Sequence, residues 1–263
     1  DFKDDDIIFN SVDISKLKHN NQLSLNRDDI YNNSWAVIIG INEYNNISNL
    51  DYAVNDAQAV KDLLIDTFGY SEEKIILLIN KDAGKVNIEK ALSDVSLKAG
   101  DNDRILVFFS GHGETMLLPD GGEMGYLLPI DANQDNLYAS AIPMDDLKDL
   151  SSISKAKHML FLVDACFSGL AAVGTKGLEP AKTPNYLKKI TSIKSRQIIT
   201  AGGSKEKVIE KSEWGHSAFT LNLKRGLNDA RADYNSDGII TANELGLFKP
   251  LLRLSVKALC PHS

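Results

Sequence analysis

The chain has 263 residues, two cysteines and a formal net charge of −7. That length suits one substantial α/β core, and no apolar stretch reaches the roughly 18 residues that a membrane-spanning helix needs. The acidic balance, with no lysine or arginine cluster, argues against nucleic acid as the main partner. Cys166 and Cys260 do not make a disulfide framework, so a reducing compartment is permitted and the cytoplasm is favoured.

Apolar runs typical of buried strands alternate with helical patterns along most of the chain. In chain order, the sequence predicts a strand at 35–41, a helix at 53–68, a strand at 74–79, a helix capped by Asn87 that ends near Gly100, a strand at 104–109, a hairpin turn at 119–122, a short helix at 144–150, and strands at 158–163 and 197–201. Such alternation indicates βαβ units and a mostly parallel sheet.

Two of the apolar runs end abruptly at small-residue turns that carry reactive side chains. The first ends in FFSGHG at 108–113 and the second in DACFSG at 164–169. Because chemistry collects where parallel strands end at their carboxyl edge, neighbouring strands of this kind would hold His112 and Cys166 in one cleft. A thiolate attacks carbonyl carbon well, and a nearby imidazole can take and return the proton. The pair therefore predicts Cys166 as a nucleophile and His112 as a general acid and base.

The order and spacing of these two motifs resemble those of the caspase and metacaspase clan of cysteine peptidases. Asp164, two places before the cysteine, is similar to the acidic residue of metacaspases and their bacterial relatives. The resemblance covers roughly residues 35–227. It implies a caspase-like three-layer αβα sandwich around a mostly parallel sheet of about six strands. By family analogy, the backbone N–H groups of Gly113 and Cys166 would hold the oxyanion.

The specificity residues depart from those of animal caspases, which bind an acidic side chain before the scissile bond. The resemblance to metacaspases implies a pocket made by Asp56 of an N-D-A segment, by Ser110 and by Asp164. Buried carboxylates repel a substrate aspartate and form charge-assisted hydrogen bonds with arginine or lysine. We therefore expect protein or peptide substrates that are cut after Arg or Lys. A helix N-terminal role for Asp56 is an alternative that is compatible with the pocket.

We expect three parts in the chain. These are a polar leader or prosegment at 1–33, a caspase-like peptidase domain at 34–230, and a loop with a C-terminal helix at 231–263. The first residue is Asp1 rather than Met, so we also expect something upstream, such as a sensor or regulatory module.

The peptidase domain contains a long polar linker. Its large portion extends to about residue 173, the linker covers about 174–196, and its small portion starts at about 197. In caspase relatives the corresponding linker is often cut during activation. The basic residues between Lys176 and Arg196 would fit the predicted pocket, so the sequence predicts a zymogen that cleaves itself there.

Residues 233–244, DYNSDGIITANE, follow the EF-hand pattern D-x-[DN]-x-[DN]-G-x5-E without a mismatch. Catalysis by a thiol and an imidazole needs no cofactor, so Ca²⁺ is expected here as a structural or regulatory ion. A turn that is stable without metal is the alternative. The predicted ligands are the side chains of Asp233, Asn235, Asp237, Thr241 and Glu244 and the backbone carbonyl of Ile239.

A second, weaker calcium site follows only from the resemblance. Some metacaspases bind calcium through clustered acids that include a D-D pair after the histidine. Asp145 and Asp146 resemble that pair, and Glu123 could join them. The alternative is that the two aspartates are N-terminal acids of a short helix.

Two other functions compete with a peptidase specific for basic residues. One is an inactive caspase-like scaffold that binds partners and uses the calcium loop as a switch, which the intact Cys166 and His112 argue against. The other is a clan member of the legumain, gingipain or separase type with a different specificity. Covalent labelling by an arginyl electrophile distinguishes the inactive scaffold from an active enzyme. A substrate profile distinguishes the legumain, gingipain or separase type from a peptidase specific for basic residues.

Overall fold

Strands and helices alternate along the computed structural model, which describes residues 30–165, 191–192, 194–201, 210–211, 213–236, 238–248 and 255–258. In chain order the elements are β1 (Ser34–Gly40), α1 (Ala53–Asp66), β2 (Ile75–Ile79), α2 (Lys85–Lys98), β3 (Arg104–Ser110), β4 (Gly113–Leu117), β5 (Glu123–Leu127), α3 (Leu137–Ser140), β6 (Ile142–Pro143), α4 (Met144–Ile153), β7 (His158–Asp164), β8 (Ser195–Thr200), β9 (Glu210–Lys211), β10 (His216–Ser217), α5 (Ala218–Asn228), α6 (Ala242–Leu247) and β11 (Ser255–Ala258).

A six-stranded sheet in the order β11-β8-β7-β3-β1-β2 forms the centre of the fold. All neighbouring strands in it are parallel except β11, which is antiparallel to β8. Helices α1 and α5 cover one face, and α2 and α4 cover the other. The predicted three-layer sandwich with a mostly parallel sheet of about six strands is therefore confirmed.

The two faces of the sheet have separate cores, because successive side chains of a strand point in opposite directions. In β3, Leu106 and Phe108 pack against α1 and α5, while Val107 and Phe109 pack against α2 and α4. The same alternation directs Ser110, the last residue of β3, to the α1 and α5 face. The direction of the last side chain in each strand therefore determines which helices can contribute to a site at the carboxyl edge.

Gly40 allows α1 to pack directly on the end of β1. A Cβ at this position would lie 2.5 Å from the carbonyl oxygen of Ala53 and 2.6 Å from the Cβ of Ala57. Real Cβ atoms do not approach backbone so closely, so the first turn of α1 can lie over the strand end only because residue 40 is glycine. This packing brings Asp56 to the carboxyl edge of the sheet.

The predicted hairpin turn at 119–122 is confirmed between β4 and β5. Leu118 donates its N–H to Gly122 at 2.7 Å, and Gly121 has a positive φ of 84°. With β6 these strands make a second, antiparallel sheet, whose first strand begins directly after His112.

None of the helices in the described ranges is long and apolar enough to cross a bilayer.

Most element ends differ from the sequence prediction by one to three residues, and two of these differences change the description of the fold. Helix α2 begins at Lys85 rather than at a cap on Asn87, because the Lys85 N–H is bonded at 2.9 Å by the carboxylate of Asp131. Strand β8 begins at Ser195, two residues before the predicted start. Arg196 therefore belongs to the sheet and not to the linker.

Candidate active site

His112 lies two residues beyond the end of β3, at the carboxyl edge of the sheet. Its Nε2 is 2.8 Å from the carbonyl oxygen of Ser48, in the loop between β1 and α1. A carbonyl oxygen can only accept a hydrogen bond, so Nε2 carries the hydrogen and Nδ1 is the basic nitrogen of the neutral ring. The side chain is therefore arranged to take a proton at Nδ1, as a general base requires.

Tyr44 holds both the backbone and the ring of His112. The tyrosine hydroxyl accepts the His112 backbone N–H at 2.8 Å, and the two rings lie 4.9 Å apart at a tilt of 52°. Gly111 leaves room for this hydroxyl, because a Cβ on residue 111 would lie 2.6 Å from it. Burial raises the pKa of Tyr44, so the phenol stays protonated at neutral pH.

The turn that follows β3 is bonded directly to the end of β7. Ser110 and Asp164 are register partners in these parallel strands, and the Gly111 N–H donates to the Asp164 carbonyl at 3.2 Å. The expectation that both motif strands end at one edge is confirmed by this register. Ala165 is fully buried. Cys166, the predicted nucleophile, is the next residue in sequence and lies outside the described residues.

Gly113, the other predicted oxyanion donor, is the first residue of β4. The carbonyl of His112 accepts the N–H of Leu128 at 3.0 Å, so these two residues form a hydrogen-bonded pair. Antiparallel ladders alternate hydrogen-bonded and non-bonded pairs, and Gly113 faces Leu127 in the next position. The Gly113 N–H therefore points away from β5, a direction compatible with an oxyanion donor.

The three predicted pocket residues, Asp56, Ser110 and Asp164, are 0%, 3% and 2% exposed. Ser217 links the two acids, because its N–H donates to Asp56 Oδ2 at 3.2 Å and its hydroxyl donates to Asp164 Oδ2. Thr220 also donates to Asp164 Oδ2, at 3.3 Å. The structure thus brings two buried carboxylates to one serine on the α1 and α5 face.

Burial dominates the electrostatics of Asp56. It raises the pKa of this carboxyl, against the hydrogen bonds from His216 and Ser217, which lower it. Asp56 also lies in the first turn of α1, so the helix N-terminal role holds together with its position beside Asp164. A cation that entered this region would favour the ionised carboxylate, since a positive neighbour lowers the pKa of an acid.

Sequence reasoning missed several residues that complete the site: Tyr44, Ser48, His216, Ser217 and Thr220. Only Ser217 carried a usable local signal, because a serine just before an apolar helical run predicts an N-cap, and its hydroxyl does accept the Thr220 N–H at 3.0 Å. Its contacts with Asp56 and Asp164 have no counterpart in any sequence pattern.

The loop at 233–244 has the turn that its sequence predicts. Asp233 Oδ2 accepts the N–H of Gly238 at 2.9 Å, and Gly238 has a positive φ of 84°. Thr241 and Glu244 form a capping box at the start of α6, in which Glu244 Oε2 accepts from the Thr241 N–H and hydroxyl. Glu244 Oε1 is buried and has no hydrogen-bond partner within the described part of the chain. Asp237 falls outside it.

The weaker metal ligands are not gathered into a site. Glu123 begins β5, whereas Asp145 and Asp146 lie in the first turn of α4. Within the ranges that the structure describes, no three His, Cys, Asp or Glu side chains are close enough to hold a metal ion. Burial, followed by the charge of Asp149, raises the pKa of Asp146. This placement corresponds to the alternative, in which the two aspartates are N-terminal acids of a short helix.

The curated proteins to which this chain is similar include metacaspases. The chain is 31% identical to metacaspase-1 of Eremothecium gossypii over 177 residues, which are 61% of this chain and 38% of that protein. It is 35% identical to metacaspase-7 of Arabidopsis thaliana over 147 residues, 51% of this chain and 34% of that protein. The chain thus spans less than two fifths of the length of these curated relatives.

Among solved structures, protein GSU0716 from Geobacter sulfurreducens is similar in fold. The TM-score is 0.60 at 16% sequence identity, and the superposition covers 86% of this chain and 92% of that one. The family model that describes the caspase domain, in peptidase family C14, matches residues 33–241. Because this match covers most of the sequence, the chain belongs to the caspase domain family of cysteine peptidases.

Proposed function

We propose that this chain is a cysteine endopeptidase that cleaves peptide bonds after arginine or lysine. His112 would take the proton of Cys166 and return it to the leaving amine. The thiolate attacks the scissile carbonyl carbon, and the N–H groups of Gly113 and Cys166 stabilise the oxyanion. Water then hydrolyses the thioester, which releases the new carboxyl group and restores the thiol. The reaction uses no cofactor.

The observation that supports the specificity is the pair of buried carboxylates, Asp56 and Asp164, joined through Ser217. They lie at the edge of the sheet from which the His112 turn leaves. In a region of low dielectric, like charges repel by several kcal/mol, so an acidic side chain before the scissile bond would be rejected. A guanidinium or ammonium group would instead form charge-assisted hydrogen bonds with these acids.

Reporter peptides that differ only in the residue before the scissile bond test this proposal. The wild type should cleave the arginyl and lysyl peptides and leave the aspartyl peptide intact. Cys166→Ala and His112→Ala should each lose nearly all turnover, because the two residues act as one unit. Asp164→Asn should reduce the preference for basic residues, since it removes a charge without changing the volume.

Other outcomes would point to the competing functions. Preferred cleavage after aspartate would contradict the pocket, and substantial activity in Cys166→Ala would contradict the mechanism. A wild type that neither cleaves nor is labelled by an arginyl electrophile would be the inactive scaffold. A profile with a different preferred residue would indicate a specificity of the legumain, gingipain or separase type.

Self-processing in the linker is part of the same proposal. Arg196 is removed from the predicted cut sites, because its guanidinium is bonded to the carbonyls of Ser151 in α4 and of Ala156 in the loop before β7. We therefore place the cut between Lys176 and Lys194. Intact masses of the wild type and Cys166→Ala after prolonged incubation test it, and identical masses would contradict it.

We also propose that the loop at 233–244 binds Ca²⁺ as a structural or regulatory ion. The supporting observation is Glu244 Oε1, a buried acceptor without a hydrogen-bond partner among the described residues. In the predicted site Glu244 is the bidentate ligand, and a cation would satisfy this oxygen. Asp233 and Gly238 already form the turn that such a loop requires.

A further inference from the structure

The imidazole of His216 lies between a pocket acid and a lysine. Its Nδ1 is 2.7 Å from Asp56 Oδ1, and its Nε2 is 3.2 Å from Lys224 Nζ. His216 is in β10, Asp56 is in α1 and Lys224 is in α5. Three elements therefore meet at this imidazole ring, which is hydrogen-bonded to a carboxylate that we assign to the specificity pocket.

The lysine decides which nitrogen of the ring carries the hydrogen. An ammonium group has three donors and no acceptor, so His216 Nε2 must accept from Lys224. The hydrogen of the neutral ring is then on Nδ1, which donates it to Asp56. An imidazolium would instead direct an N–H toward the ammonium and place two positive charges in contact. Lys224 therefore favours the neutral Nδ1–H form of His216.

We propose that Lys224 acts through His216 to hold the Asp56 carboxylate in position while leaving its negative charge for the substrate. This inference rests on the proposed function, since it assigns Asp56 to the binding of a basic side chain. A neutral imidazole orients the carboxylate by a hydrogen bond and cancels none of its charge. An imidazolium would form an ion pair with Asp56 and compete with the arginine or lysine of the substrate.

Asp164 and strand β9, which contains Glu210 and Lys211, adjoin this arrangement. Asp164, at the end of β7, shares Ser217 with Asp56. Strand β9 places Lys211 opposite His216 and Glu210 opposite Ser217 in antiparallel register. All of these groups stay the same when only residue 224 is replaced, so two variants at that position isolate the effect of its charge.

The matched variants are Lys224→Met, which removes the ammonium but keeps the length of the side chain, and Lys224→Arg, which keeps a cationic donor. KM and kcat for an arginyl peptide are measured on the full chain at about pH 6 and about pH 8. At the lower pH, the KM of Lys224→Met should exceed that of Lys224→Arg by roughly tenfold, because an ion pair of His216 with Asp56 would compete with the cation of the substrate. At the higher pH the two KM values should converge, and kcat should differ little throughout.

A second replacement shows whether the effect passes through the imidazole. In a His216→Leu background, the ratio of the KM values of Lys224→Met and Lys224→Arg should be the same at both pH values, because the imidazole that takes the extra proton is absent. If the pH-dependent difference between the residue-224 variants persists in that background, Lys224 acts on the pocket by another route and the inference is wrong.

Imidazole ¹⁵N NMR reads the protonation state of His216 without any turnover. At the same pH, the wild type and Lys224→Arg should show more of the neutral Nδ1–H form than Lys224→Met, in which a second proton should be present on the ring. If Lys224→Met does not fold, Lys224→Gln takes its place.

The outcomes separate this inference from the proposed function. An imidazolium spectrum in the wild type at neutral pH, or equal KM ratios at both pH values, would overturn the role of Lys224 and leave the peptidase standing. A wild type that does not cleave after basic residues would overturn the proposed function, and the substrate-related part of this inference would fall with it. The NMR spectrum would still decide whether Lys224 controls the ring.

Discussion

At the scale of single residues, Tyr44 supports the turn that carries His112. Its hydroxyl accepts the His112 N–H, and its own N–H donates to the side chain of Asn49 at 3.0 Å. Tyr44 is 8% exposed, so water does not easily replace the hydrogen bond to His112. The tyrosine therefore fixes a backbone group whose displacement would move both the imidazole and the Gly113 N–H.

We predict that Tyr44→Phe lowers kcat by about tenfold and changes KM little. The ring is kept, but a buried N–H loses its acceptor, which costs about 1–3 kcal/mol. Steady-state kinetics on an arginyl peptide measure the effect. Tyr138→Phe is the matched control, because Tyr138 is 77% exposed and should behave as the wild type does. An unchanged kcat in Tyr44→Phe would show that the turn is held by other contacts.

The buried carboxyl of Asp56 predicts opposite pH effects on folding and on ligand binding. Burial raises its pKa, so the folded state holds the proton to a higher pH than the unfolded chain does. The contribution of Asp56 to stability is therefore present at acid pH and is lost as the pH rises through the raised pKa. Binding of a cation needs the ionised form, so it should strengthen over the same interval.

Calorimetric titration of Cys166→Ala with a guanidinium ligand, such as agmatine, measures this binding without interference from the dyad. The affinity should increase with pH, and protons should be released on binding at the acid end. Asp56→Asn in the same background should bind more weakly and should remove this component of the pH dependence. A pH-independent affinity in the parent would contradict a role for Asp56 in cation binding.

At the scale of elements, Arg196 joins β8 to the last turn of α4 and to the segment between α4 and β7. Its guanidinium donates to the carbonyls of Ser151, Ser154, Ala156 and Lys157 at 2.7–3.2 Å. Desolvation lowers the pKa of Arg196. The hydrogen bonds to these carbonyls offset the cost of burying the charged group. Strand β7 ends in Asp164, so a contact that fixes the start of this strand also supports the site.

We expect Arg196→Met to reduce the free energy of unfolding by about 2–4 kcal/mol, because several carbonyls lose a charged donor together. Urea denaturation measures the change. The neighbouring Lys194→Met is the control, since the ion pair of Lys194 with Asp101 has exposed partners and such pairs contribute about 0–1 kcal/mol. Equal stability of the two variants would mean that water replaces the guanidinium at little cost.

At the scale of the whole molecule, the loop at 233–244 is connected to the main core through α6. Leu245 is buried in the core between the sheet and α1 and α5. It follows Glu244, whose Oε1 is the oxygen without a hydrogen-bond partner among the described residues. An ion bound by Glu244 would therefore stabilise the same core that carries the pocket residues.

We predict that Ca²⁺ raises the midpoint of thermal unfolding. Calcium at about 100 times Kd would add roughly 2.7 kcal/mol to the stability of the folded state. Glu244→Gln should lose most of the shift, whereas Asp145→Asn should keep it. No shift in the wild type would leave the loop as a metal-free turn. If calcium activates the enzyme and Glu244→Gln is still activated, the activating site lies elsewhere.

By itself, the sequence determined the mostly parallel sheet and its two motif strands, and it predicted His112 and Cys166 as a pair from their order and motifs. Those features follow from local periodicity and from residues close together in the chain, as in the apolar runs that end at Ser110 and Asp164. The start of α2 could not be predicted from the sequence, because Asp131, which accepts the N–H of Lys85, is 46 residues away from it.

Only the tertiary structure decided which groups surround His112 and Asp56. The Ser48 carbonyl that sets the tautomer of His112 is 64 residues from it, and the Ser217 N–H that binds Asp56 is 161 residues away. His216 reaches the same carboxylate from 160 residues away. Such contacts form when helices pack on a sheet whose strands end at one edge, so no local pattern of residues encodes them.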